Sequence, residues 1–251
     1  MPYLVKEFNL TETILSKTIK IMGIGESDAE NLLKDLIKSN NPTLAPTVKE
    51  GEIHFRITAK GDNMIALENL INTMKKKIEA VLGDYIFGEN SDTLESVLGN
   101  LLLVEKKSIS VAESCTGGYL SHILTNVPGS SAYFNRGYVT YSNDAKMDLL
   151  GVSKETLETY GAVSEEAASE MVAGVYKHTK SDICMATTGI AGPDGGSIEK
   201  PVGLVYIGFS FDGSIIIIKK QFSGSRESIK KRTVRYILFY LLNQIKRGKI
   251  E

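Results

Sequence analysis

The stretch VGLVYIGFSFDGSIIIIKKQF, residues 202–222, contains two runs of β-branched and aromatic residues separated by Asp212-Gly213. Such runs favour β-strands, and Asp-Gly is a strong signal for the two-residue turn of a β-hairpin. We therefore predict two strands, Val202–Phe211 and Ser214–Phe222, that pair antiparallel.

Helix and strand patterns alternate upstream of this hairpin and a helix follows it. Strands are predicted over residues 108–112, 137–142 and 182–188, and helices over residues 92–101, 116–125 and 226–245, with two more beginning after Ser153 and Ser164. Alternation of this kind is typical of a parallel sheet covered by helices, whereas the hairpin requires at least one antiparallel pair. The prediction is an α/β sandwich with a mixed sheet.

A smaller α/β block precedes this region. Its predicted elements are a strand over residues 19–22, a helix over residues 27–37 that begins at a Ser27/Glu30 capping box, a strand over residues 52–59 and a helix over residues 64–81. Pro46 is predicted to lie in a loop and residues 83–91 to form a linker. We therefore expect two domains, residues 1–88 and 92–251.

Composition excludes several classes of protein. The 251 residues include 29 Lys and Arg against 30 Asp and Glu, so that the net charge of −1 argues against nucleic acid as the main partner. No apolar run approaches the roughly 18 residues that a membrane span needs, and the amino end lacks the pattern of a secretory signal. The two cysteines, Cys115 and Cys184, have no disulfide or metal-site spacing, which favours a cytoplasmic protein.

The segment VAESCTGG, residues 111–118, passes from a predicted strand through a turn into a predicted helix. A serine in such a turn can act as a nucleophile whose oxyanion is bound by the free N–H groups at the helix start. Ser114 is the candidate nucleophile. The alternatives are that a hydroxyl here only caps the helix, or that the neighbouring Cys115 is the nucleophile.

A nucleophilic serine needs a base, and the three histidines are poorly placed to supply one. His122 follows Ser114 by eight residues, ~12 Å along a helix, and His54 and His178 lie in other predicted elements. Lys146, at the end of GYVTYSNDAK (residues 137–146), is the alternative base, since a desolvated lysine can lose its proton near neutral pH. Read alone, it could equally be a solvated surface lysine.

Two further features suggest ligand contacts. Residues 187–203 carry five glycines and two prolines in the loop that follows a predicted strand, which suits either close approach of a ligand to backbone or a long surface connection. Ser197 and Lys200 have Ser-x-x-Lys spacing there, but the neighbouring glycines and proline prevent the helix that such a pair needs. Arg226, at the start of the last predicted helix, suits a phosphate or carboxylate.

Together these segments resemble the CinA competence/damage-inducible family, whose C-terminal domain is a nicotinamide-nucleotide amidase. The resemblance covers residues 92–245 and is carried by AESCTGG (112–118), PGSSAYF (128–134), YSNDAK (141–146), GAVS (161–164), TGIAGPDGG (188–196) and EKPVG (199–203). It implies a three-layer sandwich and hydrolysis of nicotinamide mononucleotide to nicotinate mononucleotide and ammonia, with no metal and no cofactor.

By position, the resemblance implies that Ser114 is the nucleophile, Lys146 the base and Tyr141 an assisting hydroxyl. Tyr138 or Tyr141 is expected against the pyridinium ring, and Arg136 or Arg226 at the phosphate. The substrate or oxyanion contacts that it implies are Thr116, Gly117, Gly118, Ser130, Arg136, Gly189 and Arg226.

The first block resembles the KH-like middle region of the same family, beginning at Met22–Ser27. It lacks the Gly-x-x-Gly loop of nucleic-acid-binding KH modules, so that we interpret it as a structural or dimerising unit and expect a homo-oligomer. Two other functions stay open at this point. One is a pyridine-nucleotide-binding or scaffold protein without turnover, and the other is nucleic-acid binding through the first block.

Overall fold

The structure is a computed structural model that describes residues 12–49 and 51–248. The chain divides into two compact units, one ending at Thr93 and the other beginning at Leu94. Each unit contains its own β-sheet. Within the described ranges, no helix combines the length and the apolar character that crossing a membrane requires.

The first unit is an antiparallel four-stranded sheet with a long helix packed on it. Its elements are β1 Thr13–Ile21, α1 Glu26–Leu32, α2 Lys34–Ile37, β2 Thr43–Lys49, β3 Glu52–Gly61, α3 Met64–Leu82 and β4 Ile86–Glu89. The strand order is β2-β3-β1-β4. Helix α3 buries an apolar face at helical spacing, which includes Leu67, Ile71 and Ile78, against the sheet.

The structure corrects two predicted loops in this unit. Pro46 lies within β2 opposite Phe55, because β2 is an edge strand, where a residue without an amide hydrogen is tolerated. The predicted linker contains β4, which pairs with β1 and buries Phe87. Four residues are too few for periodicity to reveal such a strand.

The structure also differs from the single helix that is predicted over residues 27–37. The helix begins at Glu26 with Gly25 as N-cap, so that the Ser27/Glu30 capping box is not formed, and it is interrupted at Leu33 between α1 and α2. The helix over residues 64–81 is confirmed, since α3 spans Met64–Leu82.

The second unit contains a mixed five-stranded sheet. Its elements are α4 Leu94–Glu105, β5 Ile109–Glu113, α5 Tyr119–Thr125, β6 Phe134–Val139, α6 Asn143–Leu150, α7 Lys154–Thr159, α8 Glu165–Thr179, β7 Ile183–Gly189, β8 Leu204–Phe211, β9 Ser214–Gln221 and α9 Arg226–Lys246. The order is β6-β5-β7-β8-β9, with β5 parallel to β6 and β7, and β8 antiparallel to β7 and β9. The predicted hairpin is confirmed, with φ of 48° at Asp212 and 94° at Gly213, as its two-residue turn requires.

Helices cover both faces of this sheet, as predicted. All side chains of β5 are buried, which requires cover on both sides. On one face Ala112 and Ala186 pack in a cluster with Met171 and Val172 of α8. Helix α5 contacts β5 and β6. Helix α9 packs against α4 and α5. Because β5, β6 and β7 are parallel, their carboxyl ends lie at one edge of the sheet, where α/β proteins commonly bind ligands.

Candidate active site

Ser114 lies at the carboxyl edge of the sheet, directly after β5. Its amide donates to the carbonyl oxygen of Thr187 in β7 at 2.9 Å. Thr140, directly after β6, donates its amide to the carbonyl oxygen of Glu113, also at 2.9 Å. These two hydrogen bonds continue the sheet pairing beyond β5 and hold the backbone of Glu113 and Ser114 in place.

Lys146 reaches Ser114 from the first turn of α6. The Ser142 hydroxyl caps this helix by accepting from the amide of Ala145 at 3.1 Å, which sets the direction in which the helix begins. Lys146 Nζ lies 3.0 Å from Ser114 Oγ. Both residues are buried, Lys146 with 1% and Ser114 with 9% of its surface exposed. The predicted pair is therefore brought within hydrogen-bonding distance.

The surroundings of Lys146 suit a neutral amine. Burial lowers the pKa of Lys146 below its ordinary value of 10.5. Nζ lies within hydrogen-bonding distance of the carbonyl oxygens of Thr140 at 2.9 Å, Tyr141 at 3.3 Å and Ser142 at 3.5 Å, and the two shorter bonds would use both hydrogens of an uncharged amine. The lone pair is then available to the hydroxyl of Ser114, so that the pair can perform general-base activation of a serine.

Glu113 is a buried carboxylate that sequence analysis did not single out. It accepts from the amides of Gly118, Leu120 and Ser121 at 3.0, 2.9 and 2.7 Å, and from Ser121 Oγ at 2.7 Å. The sequence predicts that the free N–H groups at the helix start face a ligand, whereas in the structure three of these amides bind Glu113. Gly118, the N-cap of α5, has no side chain to cap the helix, and this is the signal that could have identified Glu113.

Replacing Glu113 with glutamine should destabilise the protein. A glutamine amide has only one oxygen for four donors, and its NH₂ group would face N–H groups, so that a loss of about 1–3 kcal/mol in the free energy of unfolding is expected. Ser121→Ala is the matched control, since it removes one of the four bonds and keeps the three from backbone. Denaturant unfolding measures both variants. Equal stability of Glu113→Gln and the parent would contradict this role.

Tyr141 and Arg226 contact each other. Tyr141 has 59% of its surface exposed, and its hydroxyl accepts from Arg226 Nη2 at 2.8 Å. Arg226 Nη1 also donates to the carbonyl oxygen of Gly192 in the glycine-rich loop at 2.8 Å. Arg226 thus joins the loop after β6 to the loop after β7, while the Tyr141 carbonyl, rather than its hydroxyl, contacts Lys146.

The turn after Ser114 contains three of the other predicted residues. The Thr116 hydroxyl is buried against the hydroxyl of Thr187 at 2.8 Å. Gly117 and Gly118 have φ of 60° and 92°, which explains why α5 begins at Tyr119 and not at the predicted Thr116. Gly189 lies at the end of β7, where a Cβ atom would come 2.6 Å from the carbonyl oxygen of Leu204.

Two predicted residues lie away from this edge. Arg136 is opposite Ser110 in the sheet, four residues before Ser114, or about 13 Å along the strand. Its guanidinium donates to the hydroxyl of Tyr138 at 3.2 Å. Ser130 lies in the short 3₁₀ turn before β6 and donates to the carbonyl oxygen of Thr125. The structure therefore does not bring Arg136 or Ser130 to Ser114.

Cys115 does not have the properties of a nucleophile. Its side chain is buried, and burial raises the pKa of the Cys115 thiol to about 12. Within the described residues, no group of three or more His, Cys, Asp or Glu side chains is arranged to hold a metal ion.

Comparison with protein families divides the chain into two matches. Residues 16–88 match the CinA KH domain, and residues 91–245 match the CinA C-terminal domain. A competence-damage inducible protein of Clostridium perfringens is 48% identical over 248 residues, which are 98% of this chain and 60% of that protein. A protein of the same description from Moorella thermoacetica is 49% identical over 235 residues, 94% of this chain and 57% of that protein. The chain thus spans about 60% of the length of these relatives.

Solved structures resemble the second unit. The competence/damage inducible protein CihA of Agrobacterium tumefaciens is 42% identical with a TM-score of 0.57, and the match covers 61% of this chain and 98% of that one. A CinA superfamily protein of Klebsiella pneumoniae is 33% identical with a TM-score of 0.59, covering 61% of this chain and 96% of that one. On the two domain matches and these relatives, the chain belongs to the CinA family.

Proposed function

We propose that this protein hydrolyses the carboxamide of nicotinamide mononucleotide to give nicotinate mononucleotide and ammonia. The observation that carries the proposal is the buried pair of Ser114 Oγ and Lys146 Nζ, 3.0 Å apart. The choice of substrate rests on the resemblance of the second unit to the amidase domain of the CinA family. We further expect the protein to act in the cytoplasm, because Cys115 and Cys184 are both free thiols.

In the first half of the reaction, neutral Lys146 takes the proton of Ser114 as Oγ attacks the carboxamide carbon. The resulting tetrahedral oxyanion needs hydrogen-bond donors. The amides of Cys115 and Thr116 donate to no other residue in the described part of the turn, and they are the nearest backbone donors in sequence. Lys146 then returns its proton to the departing nitrogen, ammonia leaves, and an ester to Ser114 remains.

In the second half, water attacks the ester carbonyl while Lys146 accepts a proton from it. The carbon–oxygen bond to Ser114 breaks, Ser114 recovers its proton from Lys146, and the carboxylate is released. The second proton of the water leaves with the carboxyl group and is taken up by ammonia, so that each carboxamide and water give one carboxylate and one ammonium ion. The side chains of this cycle are Ser114 and Lys146. Tyr141, which the resemblance implies as an assisting hydroxyl, is proposed to contact the pyridinium ring, and its hydroxyl accepts from Arg226.

Ammonia release from nicotinamide mononucleotide by the purified chain is the direct test. We expect stoichiometric ammonia and nicotinate mononucleotide, with equal rates before and after treatment with a chelator. Binding of the nucleotide without turnover would favour a nucleotide-binding or scaffold protein instead. Salt-dependent binding to nucleic acid, with no effect of the nucleotide, would favour the first unit as a nucleic-acid-binding module.

We also propose that the two units are independent domains, so that residues 92–251 should fold and retain full amidase activity. Every group of the proposed mechanism lies in this fragment, and solved relatives of this length match it over nearly their whole chains. Circular dichroism and ammonia release would measure folding and activity. If the fragment is insoluble or inactive while the full chain is active, the first unit contributes to the core or to the site.

A further inference from the structure

A cavity lies beside the turn that carries Ser114. It is lined by Tyr119, Arg226, Glu227, Lys230 and Lys231, which come from the first residue of α5 and the first two turns of α9. These two helices contact each other. Three cationic side chains therefore share the cavity with one carboxylate, and the excess of positive charge favours an anion.

Two of these three cations already have partners. Arg226 donates to the carbonyl oxygen of Gly192 and to the hydroxyl of Tyr141. Lys231 Nζ is 2.8 Å from a carboxylate oxygen of Glu227, one helical turn away. Lys230 is half-buried, and within the described ranges it forms no ion pair and no side-chain hydrogen bond. Lys230 is therefore the cation in this cavity that has no side-chain partner among the described residues, whereas Arg226 is held by two neutral oxygens and Lys231 by a carboxylate.

Lys230 is also directed towards the turn that follows Ser114. A Cβ atom built on Gly117 would come within 3.5 Å of Lys230 Nζ, so that the ammonium group lies against backbone that carries no side chain. Gly117 is three residues from Ser114, and its amide donates to the Ser114 carbonyl oxygen at 3.1 Å. An anion bound by Lys230 would thus lie next to the nucleophile's own turn.

We infer that Lys230 binds the phosphate of the nucleotide substrate and makes the enzyme select the nucleotide over the nucleoside. This inference rests on the proposed function and names the group that recognises the phosphate. A phosphate oxygen and the ammonium of Lys230 form a charge-assisted hydrogen bond in a partly desolvated position, where such bonds are strong. Arg226, held by Gly192 and Tyr141, then serves to position the two loops.

The test compares nicotinamide mononucleotide with nicotinamide riboside, which lacks the phosphate. Lys230→Gln should raise KM for the mononucleotide about tenfold or more and leave kcat within about twofold, since the lost bond does not reach the reacting carbon. Its kcat/KM for the riboside should not change. Lys230→Arg should restore the mononucleotide KM, because the charge and a donor are retained. Lys177→Gln, on the exposed side of α8, is the control for net charge.

Calorimetric titration of the two ligands into Ser114→Ala protein separates this inference from the amidase proposal. A loss of mononucleotide affinity in Ser114→Ala/Lys230→Gln, with riboside affinity unchanged, supports the phosphate site even if the parent protein releases no ammonia. In that case the proposed amidase reaction is contradicted, and the phosphate-binding role of Lys230 is supported. Equal loss for both ligands, no loss for either, or no binding of the mononucleotide at all overturns the inference, whatever the amidase assay gives.

Discussion

Ser114→Ala should lower ammonia release by at least about 10³-fold, because the variant lacks the oxygen that forms the acyl-enzyme. The fold should survive. The Ser114 amide still donates its hydrogen bond to the carbonyl oxygen of Thr187, and the change removes only one hydroxyl from a buried site. Binding of nicotinamide mononucleotide should also persist, so that the loss appears in kcat. Single-turnover assays and calorimetry on the same preparation measure the two quantities.

The neighbouring cysteine provides the matched control. Cys115→Ala and Cys115→Ser should both keep most of the activity, because a thiol with a pKa of about 12 is almost wholly protonated at neutral pH and is a poor nucleophile. Cys115→Ala removes its sulfur from a buried position, so a small loss of stability is expected. An active Ser114→Ala protein together with an inactive Cys115→Ala protein would show that the nucleophile is the thiol.

The parts of the fold that were predicted correctly are those with a local signal. Asp212-Gly213 specifies its turn through two residues with positive φ, and the hairpin then determines that the sheet is mixed. Strand β4 has no such signal. Its position depends on pairing with β1, more than sixty residues earlier in the chain, and no local pattern reports that contact.

Of the candidate site, only the part that follows from the direction of the parallel strands could be predicted from the sequence. Ser114 and Lys146 follow adjacent parallel strands, β5 and β6, and strand direction alone puts both at one edge of the sheet. The same argument places Arg136 within β6 and Ser130 before it, away from that edge. The position of Lys230 beside the Gly117 turn depends on how α9 packs against α5, and the sequence does not specify that packing.

Lys146→Arg should be nearly as inactive as Lys146→Ala, with kcat lowered by about 10²–10⁴-fold, the usual contribution of general acid–base catalysis. A guanidinium stays protonated at every pH at which the protein is folded, so that it cannot accept the proton of Ser114. A lysine that only binds an anion tolerates this change. Lys230→Arg is therefore the natural comparison, since the same substitution should preserve activity there and abolish it at Lys146.

The pH dependence of stability tests the same lysine without any assay of activity. Burial lowers the pKa of Lys146 in the folded protein, so that between this lowered pKa and the ordinary value of 10.5 the unfolded chain binds more protons than the folded one. The free energy of unfolding of the parent, measured relative to Lys146→Met, should therefore increase with pH through that window and level off above it.

The rate should depend on pH in a way that matches this stability window. Only neutral Lys146 can activate Ser114, so kcat/KM should rise with pH through the lowered pKa and reach a plateau above it. The midpoint of the rate profile and the pH at which the stability difference begins to rise should coincide, because both report the same proton. Substantial activity in Lys146→Arg would remove Lys146 from the mechanism. Ser114 would then need another base. Within the described residues, none of the three histidines, His54, His122 and His178, forms a hydrogen bond with Ser114.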